Sequence, residues 1–253
     1  MKRKLLQRYS LVAATGERAA EYVQRLGFPK DCVFRVGNVI DNDHFSQTAV
    51  SSSCVSAEQT PSQISATHFL TVSRLSPEKN LGRLLRAYGQ YRREGGGWGL
   101  VLVGSGPQEG QLRALAEDLG IPGVHFPGWK DYDEVPCYYA RASCFILPSM
   151  SETWGLVVNE AMTCGLPVLV SRNCGCVPEL CHDGENGYVF DPNSTAELTE
   201  RMLRISASNG RLVAFGEASR RIIASFTPQT WAAGLSACIN KVLQEGGSWT
   251  RQQ

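Results

Sequence analysis

Several features are scarce or missing in this chain of 253 residues, and each absence removes a class of function. Its charge nearly cancels, with 25 Lys and Arg against 24 Asp and Glu, a formal +1. That balance gives no basis for neutralising a nucleic-acid backbone. No apolar run approaches the roughly 20 residues that span a bilayer. The basic start, Met1-Lys2-Arg3-Lys4-Leu5-Leu6-Gln7-Arg8, lacks the long apolar core of a signal peptide. Contact with a membrane is therefore expected to be peripheral at most. Histidine is rare: His44, His68, His125 and His182 are scattered, and none lies in a Ser or Cys nucleophile pattern. A hydrolase triad is unsupported. Cysteine is plentiful, nine in all, yet no C-x-x-C pair occurs. Cys174-Gly175-Cys176 followed by Cys181 and His182 fits no zinc spacing. Several others sit in apolar runs, where Cys acts as a small hydrophobe. We read reduced thiols in a cytoplasmic protein with no metal and no cofactor. No internal repeat is visible.

What the chain does contain is alternation. Tyr9–Thr15 and Val33–Val36 read as strands around a helix from Glu17 to Leu26, stopped by Gly27. This piece, residues 1–45, is too short for a domain and looks like the tail of a larger α/β one. Residues 46–66 are rich in Ser, Thr, Gln and Ala and read as linker. From His68 onward, strands at His68–Ser73, Leu100–Val103, His125–Phe126, Ser143–Leu147, Pro167–Ser171 and Gly187–Phe190 alternate with helices. Such alternation predicts an α/β fold with a parallel sheet and helices on both faces. Ser194-Thr195-Ala196-Glu197 is a capping box. The regular domain is placed at residues 67–228 and a last helix at 229–253.

Candidate chemistry falls at the carboxyl ends of strands, where open α/β sheets bind ligands. Pro148-Ser149-Met150-Ser151-Glu152-Thr153-Trp154-Gly155-Leu156 follows an apolar strand and leads into a helix that carries Glu160. Backbone N–H groups near Gly155 would face an anion, and Glu152 and Glu160 would accept from hydroxyls. A nucleotide sugar has both kinds of group. The alternative is a pair of Glu residues on a solvated helix. Ser73-Arg74-Leu75-Ser76-Pro77-Glu78-Lys79-Asn80 puts two cations in one strand-to-helix loop, which suits a diphosphate; two solvated surface charges are the plainer reading. Val103-Gly104-Ser105-Gly106-Pro107 is read mainly as turn chemistry, and Trp129 as a core or rim aromatic.

Taken together, these segments resemble the retaining nucleotide-sugar glycosyltransferases built from two Rossmann-like domains, the GT-B group 1 transferases. The resemblance rests on Ser73-Arg74-Leu75 with Lys79-Asn80, on Leu102 to Pro107, on Pro148-Ser149 with Glu152, Gly155 and Glu160, on Ala161 to Val168, and on Gly184 to Gly187. It spans roughly residues 68–192, and Asn38 to Asp41 with Phe45 resembles the family's domain junction. It implies that Arg74 and Lys79 hold the donor diphosphate, aided by Gly155 and Leu156. Glu160 would bind the ribose, and Glu152 would act at the transferred sugar, near its anomeric centre. The reaction implied is transfer of a hexose from a UDP- or GDP-sugar to a glycan or lipid-linked acceptor with retention, as in polysaccharide biosynthesis.

Departures from the family pattern are Trp154 in place of the usual Phe and Cys176 where Gly is common. Asp41-Asn42-Asp43 and Asp131-Tyr132-Asp133 fit the Asp-x-Asp pattern of metal-dependent sugar transferases of another fold, but read as local acids, the second at a helix start. On this reading the chain is one GT-B half, donor-binding, with a remnant of the N-terminal acceptor domain. The last helix then has little to cross onto, and a partner chain would supply the missing domain. The rival reading is a truncated, non-catalytic module that binds a nucleotide sugar or a partner.

Overall fold

The computed structural model describes residues 9–49, 65–208 and 210–245. Most of the linker-like stretch, residues 50–64, and the basic start lie outside the described residues. The described residues form two compact units, one from residues 9–40 and 225–245, the other from the described residues between 41 and 224.

In the first unit, β1 (Val12–Ala14) pairs in parallel with β2 (Val33–Arg35), and α1 (Glu17–Arg25) connects them. Arg35 forms an ion pair with Glu17 across this connection. The C-terminal helix, Pro228–Glu245, belongs to the same unit and packs on β2. Its Lys241 donates to the carbonyl of Asp31 at 2.8 Å and lies 5.4 Å over the Phe34 ring. The expectation that this helix has little to cross onto is thus corrected, because β2 with the turn before it presents a ring and a free carbonyl to its flank.

The second unit opens with α2 (Asn42–Ala49), which occupies the start of the stretch whose composition reads as linker. One residue makes the difference. Phe45 is buried, with its ring edge-on to Tyr132 at 5.3 Å and to Tyr139 at 6.1 Å. Phe45 stands just before the linker-like stretch and anchors α2, and residues 41–45, read from sequence with the N-terminal remnant, fall in the larger unit.

Then follow β3 (His68–Val72), α3 (Leu81–Arg93), β4 (Gly99–Val103), α4 (Glu109–Asp118), β5 (Val124–Gly128), α5 (Val135–Arg141), β6 (Cys144–Leu147), α6 (Leu156–Thr163), β7 (Val168–Ser171), α7 (Val177–Leu180), β8 (Gly187–Phe190), α8 (Thr195–Ser206) and α9 (Leu212–Ile223), and the terminal helix becomes α10. The six strands β3 to β8 form one fully parallel sheet in the order β5-β4-β3-β6-β7-β8. Two of its inner strands, β4 and β6, read as apolar runs because helices cover both faces. Leu100 to Val103 on β4 and Cys144 to Leu147 on β6 are all buried. Cys144 and Ile146 face one layer, where Leu84, Tyr88 and Tyr91 of α3 and Met202 of α8 close the core. The Ser194 hydroxyl caps α8 by accepting from the Glu197 N–H at 3.1 Å, while the Glu197 carboxylate takes the Asp191 N–H at 3.0 Å.

The cysteines follow this packing. Cys32, Cys144, Cys174, Cys176, Cys181 and Cys238 are buried thiols outside any disulfide, and Cys164 is a half-buried one. Cys137 is disulfide-bonded, which departs from the all-thiol reading.

The β4–α4 turn lies against the β3–α3 loop, and Gly104 makes that approach possible. Its φ is +132°, and a Cβ there would lie 1.9 Å from the carbonyl oxygen of Ser73. Gly104→Ala is expected to cost about 1–3 kcal/mol from strain at a glycine-only conformation, and more if the loop shifts. Gly110→Ala, on exposed α4 with nothing within 4 Å of the new methyl, is expected to be neutral or stabilising by up to about 1 kcal/mol. Denaturant midpoints of the two variants check the contrast. Equal losses would show that the turn does not depend on this contact.

Candidate functional site

Neighbouring strands β3 and β6 feed connections that leave in opposite directions, β3 toward β4 and β6 toward β7. At such a switch point the two loops separate and leave a crevice at the carboxyl edge of the sheet. The loop after β3 carries Arg74 and Lys79, and the loop after β6 carries Glu152 and Gly155.

The first loop is held at several points. Leu75 is buried, and its N–H donates to the carbonyl of Ser105 at 2.9 Å. A single 3-10 turn, Pro77–Lys79, leads to Asn80, which has a left-handed φ of 58°. Asn80 is the one non-glycine residue with positive φ among the described residues. Its side-chain amide donates to Pro148 O at 3.1 Å and to Pro192 O at 2.9 Å. The Met150 N–H donates to the carbonyl of Glu78 at 2.8 Å. The β3 loop is thereby tied to the end of β6. Sequence reasoning quoted Asn80 without giving it this role. A left-handed Asn between a 3-10 turn and a helix is a local preference, and the two carbonyls it reaches are far away in sequence.

The second loop is clamped by the Cys174–Cys176 segment. Glu152 bridges Cys174, its carbonyl accepts from Gly175 N–H at 2.9 Å, and Trp154 O accepts from Cys176 N–H at 3.2 Å. Cys-Gly-Cys acts here as a backbone clamp, and a Cβ at Gly175 would meet Thr153 O at 1.9 Å. Trp154 is buried, and its indole N–H donates to Asn159 Oδ1 at 2.9 Å. Gly155 begins α6 with φ 106°, and a Cβ on it would sit 2.9 Å from Leu147 Cδ2 and 3.4 Å from Glu152 Cγ. The first-turn N–H groups of α6 therefore open beside Glu152.

The two loops meet at the side chains. Lys79 Nζ and Glu152 Oε2 are 2.5 Å apart, and each side chain is mostly buried. Glu160 lies on the same helix as Leu156, which is exposed. The Glu160 Oε2 accepts from the Tyr139 hydroxyl at 2.7 Å. Burial pushes the Glu160 carboxyl above the usual range, and the Tyr139 hydrogen bond pulls it partly back. Burial, with Glu160 as the next cause, pushes the Tyr139 phenol well up, so it remains a donor. Arg74 is different: it is exposed, and its guanidinium makes no hydrogen bond or ion pair among the described residues. All six residues singled out from sequence thus lie on two loops and one helix, with Arg74 exposed on the first loop. Tyr139 carried no sequence signal, since an aromatic at a helical position reads as core.

The Asp-x-Asp segments are local. Asp41 Oδ1 accepts from the His44 N–H at 3.0 Å, and Asp131 O accepts from the N–H groups of Glu134 and Val135. Trp129 is 64% exposed, a rim position and not a core one. Among the described residues no group of three or more His, Cys, Asp or Glu is arranged to hold a metal. A cavity of about 370 Å³ near the β5 edge, lined by Arg113, Ile121 and Phe126 among others, contains none of these site residues.

Comparison with known proteins identifies the family. The family "Glycosyl transferases group 1" matches residues 58–222. The chain belongs to that family. A GDP-mannose-dependent alpha-(1-6)-phosphatidylinositol monomannoside mannosyltransferase of Mycobacterium tuberculosis is 34% identical over 174 residues, 65% of this chain and 45% of the relative. The amylovoran biosynthesis glycosyltransferase AmsK of Erwinia amylovora is 30% identical over 151 residues, 57% of this chain and 37% of the relative. The chain thus matches less than half the length of each of these two relatives. Among solved structures, Anabaena Alr3699/HepE in complex with UDP superposes with a TM-score of 0.82 at 22% identity, covering 94% of this chain and 66% of that one. The residues that match the family include all six strands of the large sheet. No helix among the described residues is long and apolar enough to cross a membrane.

Asn80 supplies a direct check on how the group 1 crevice is built. Asn80→Ala removes two hydrogen bonds and leaves a Cβ residue in a left-handed conformation, for an expected loss of about 2–4 kcal/mol. Asn80→Gly keeps the conformation at no steric cost and is expected to lose about half of that. Urea unfolding of both variants separates the two contributions. Equal stability of the variants would show that the left-handed backbone costs nothing.

Proposed function

We propose that the larger unit binds the nucleotide-diphosphate sugar donor of a retaining hexosyltransferase, which passes the hexose to a glycan or lipid-linked acceptor. The observation that carries this reading is the Lys79–Glu152 pair at the switch point, directly beside the Gly155 start of α6. One ammonium, one exposed guanidinium and a helix N-terminus together suit a diphosphate. Two carboxylates, one at the mouth of the helix and one deeper along it, suit hydroxyls of the sugar and the ribose.

The chemistry follows from charge. As the sugar–phosphate bond breaks, negative charge grows on the departing diphosphate. Arg74, Lys79 and the N–H groups of Gly155 and Leu156 are placed to stabilise it, and loss of one such donor costs on the order of a hundredfold in rate. In the free protein the Lys79 ammonium is already neutralised by Glu152. An arriving diphosphate competes for it, which frees Glu152 to accept from hydroxyls of the transferred sugar. The family match and the nucleotide named in the Alr3699/HepE structure support a nucleotide-sugar donor. The mycobacterial relative is named for GDP-mannose, so both UDP- and GDP-sugars belong in the test.

A second reading is a module that binds a nucleotide sugar, or a partner, without turnover. Enclosing donor and acceptor together supplies up to roughly 7–11 kcal/mol of catalysis, and binding alone does not require it. Transfer or donor hydrolysis by the purified protein separates the two readings.

Calorimetric titration with UDP and GDP tests the donor site. Arg74→Ala and Lys79→Ala are each expected to weaken nucleoside-diphosphate binding by about 1–3 kcal/mol, as for a charge-assisted hydrogen bond. Glu160→Gln should weaken bare nucleotide. Glu152→Gln should bind bare nucleotide no more weakly than the parent, because it releases Lys79, and should lose affinity only for sugar-bearing donors. Unchanged affinity in both cation variants would contradict the diphosphate assignment. Equal loss of bare nucleotide in both Glu variants would contradict the division between ribose and sugar.

A further inference from the structure

We propose that Tyr139 is a positioning residue for donor binding, its hydroxyl anchoring one oxygen of Glu160 so that the other is held ready for the ribose. The inference rests on the ribose assignment of Glu160 made above. Tyr139 is fully buried on α5, with its ring between Phe45 of α2 at 6.1 Å and Phe145 of β6 at 5.8 Å. Packing from α2 and β6 fixes the ring, and so fixes where its hydroxyl points. That hydroxyl donates to Glu160 Oε2 at 2.7 Å and also approaches the Val157 carbonyl at 3.4 Å. The Glu160 Oε1 takes no hydrogen bond among the described residues. A glutamate has several side-chain rotamers, and freezing them on binding opposes affinity. Tyr139 holds the carboxylate in one of them before the nucleotide arrives.

The same bond acts on charge. Burial favours the neutral acid at Glu160, and the Tyr139 hydroxyl opposes that by stabilising the carboxylate. The other titratable groups nearby do not replace it. Tyr132 from the α5 approach and Cys164 one turn along α6 are uncharged near neutral pH, the thiol pushed up to about 12 by burial. Arg220 of α9 faces Cys164. Removing the Tyr139 hydroxyl should therefore let Glu160 take up a proton at higher pH. Phe45 connects this arrangement to α2, so the first helix of the unit supports the ribose carboxylate through the tyrosine ring.

The test compares the full chain and its Tyr139→Phe and Glu160→Gln variants by calorimetry. The ligands are UDP or GDP, whichever the parent binds, and the 2′,3′-dideoxy form of the same nucleotide. Tyr139→Phe keeps the ring and its packing. It is expected to bind the ribonucleotide about 3- to 10-fold more weakly, the loss of roughly one net hydrogen bond, with unchanged affinity for the dideoxy form. The acid limb of its ribonucleotide affinity should also move to higher pH. Equal loss of both nucleotides would show a purely structural role and overturn the proposal, as would parent-like affinity and pH profile. Glu160→Gln separates the two levels. If it keeps the parent's preference for the ribonucleotide, the ribose assignment itself fails. If it loses the preference while Tyr139→Phe keeps it in full, only the positioning role fails.

Discussion

The divergence of the two connections that leave β3 and β6 is the constraint on which the rest of this molecule depends. A parallel sheet buried on both faces has no side surface to offer a ligand. Its functional surface is the row of loops at the carboxyl edge, and only where neighbouring loops part is there depth. Here the two loops part but do not drift. Asn80 ties the first to Pro148 and Pro192, Glu78 receives the N–H of Met150, and Gly175 clamps the backbone of Glu152. Lys79 and Glu152 meet because the backbone beneath them is pinned, not because opposite charges found one another on a free surface.

That distinction matters for energetics. Ion pairs on an open surface contribute little, since solvent screens them and two long side chains must be held still. The Lys79–Glu152 pair is mostly shielded, and its partners come from pinned loops, so its geometry is set in advance. Under the proposed function the same preorganisation serves the donor. The cation, the helix N-terminus and the two carboxylates need little rearrangement when diphosphate, sugar and ribose arrive, beyond the exchange of one carboxylate for phosphate at Lys79.

Much of this was legible in the sequence, for identifiable physical reasons. The inner strands β4 and β6 are buried on both faces and read as apolar runs, as Cys144 to Leu147 does. Helices between them start and stop at Gly, Pro and capping residues, such as Gly155 and Ser194. The positions of Glu152, Gly155 and Glu160 follow from that register alone. What the sequence withheld are contacts that join residues distant along the chain. Asn80 reaches 68 and 112 residues ahead for its two carbonyls. Tyr139 meets Glu160 across 21 residues, and in sequence it is one more core aromatic. Phe45 was quoted as part of the domain junction, but its packing against Tyr132 and Tyr139 joins residues about ninety apart, and the partner face of α10 lies some two hundred residues earlier, at Asp31 and Phe34. The group 1 motifs pointed to the two loops, and packing between distant residues decides how those loops are held.

The most direct measurement of the central claim is amide hydrogen exchange of the full chain in the presence of saturating UDP or GDP. The account predicts slowed exchange in residues 73–80 and 150–158, the two loops of the switch point and the first turn of α6, with the β5 edge unchanged. Protection confined to the cavity around Arg113 and Phe126, or no protection in either switch-point loop, would contradict it.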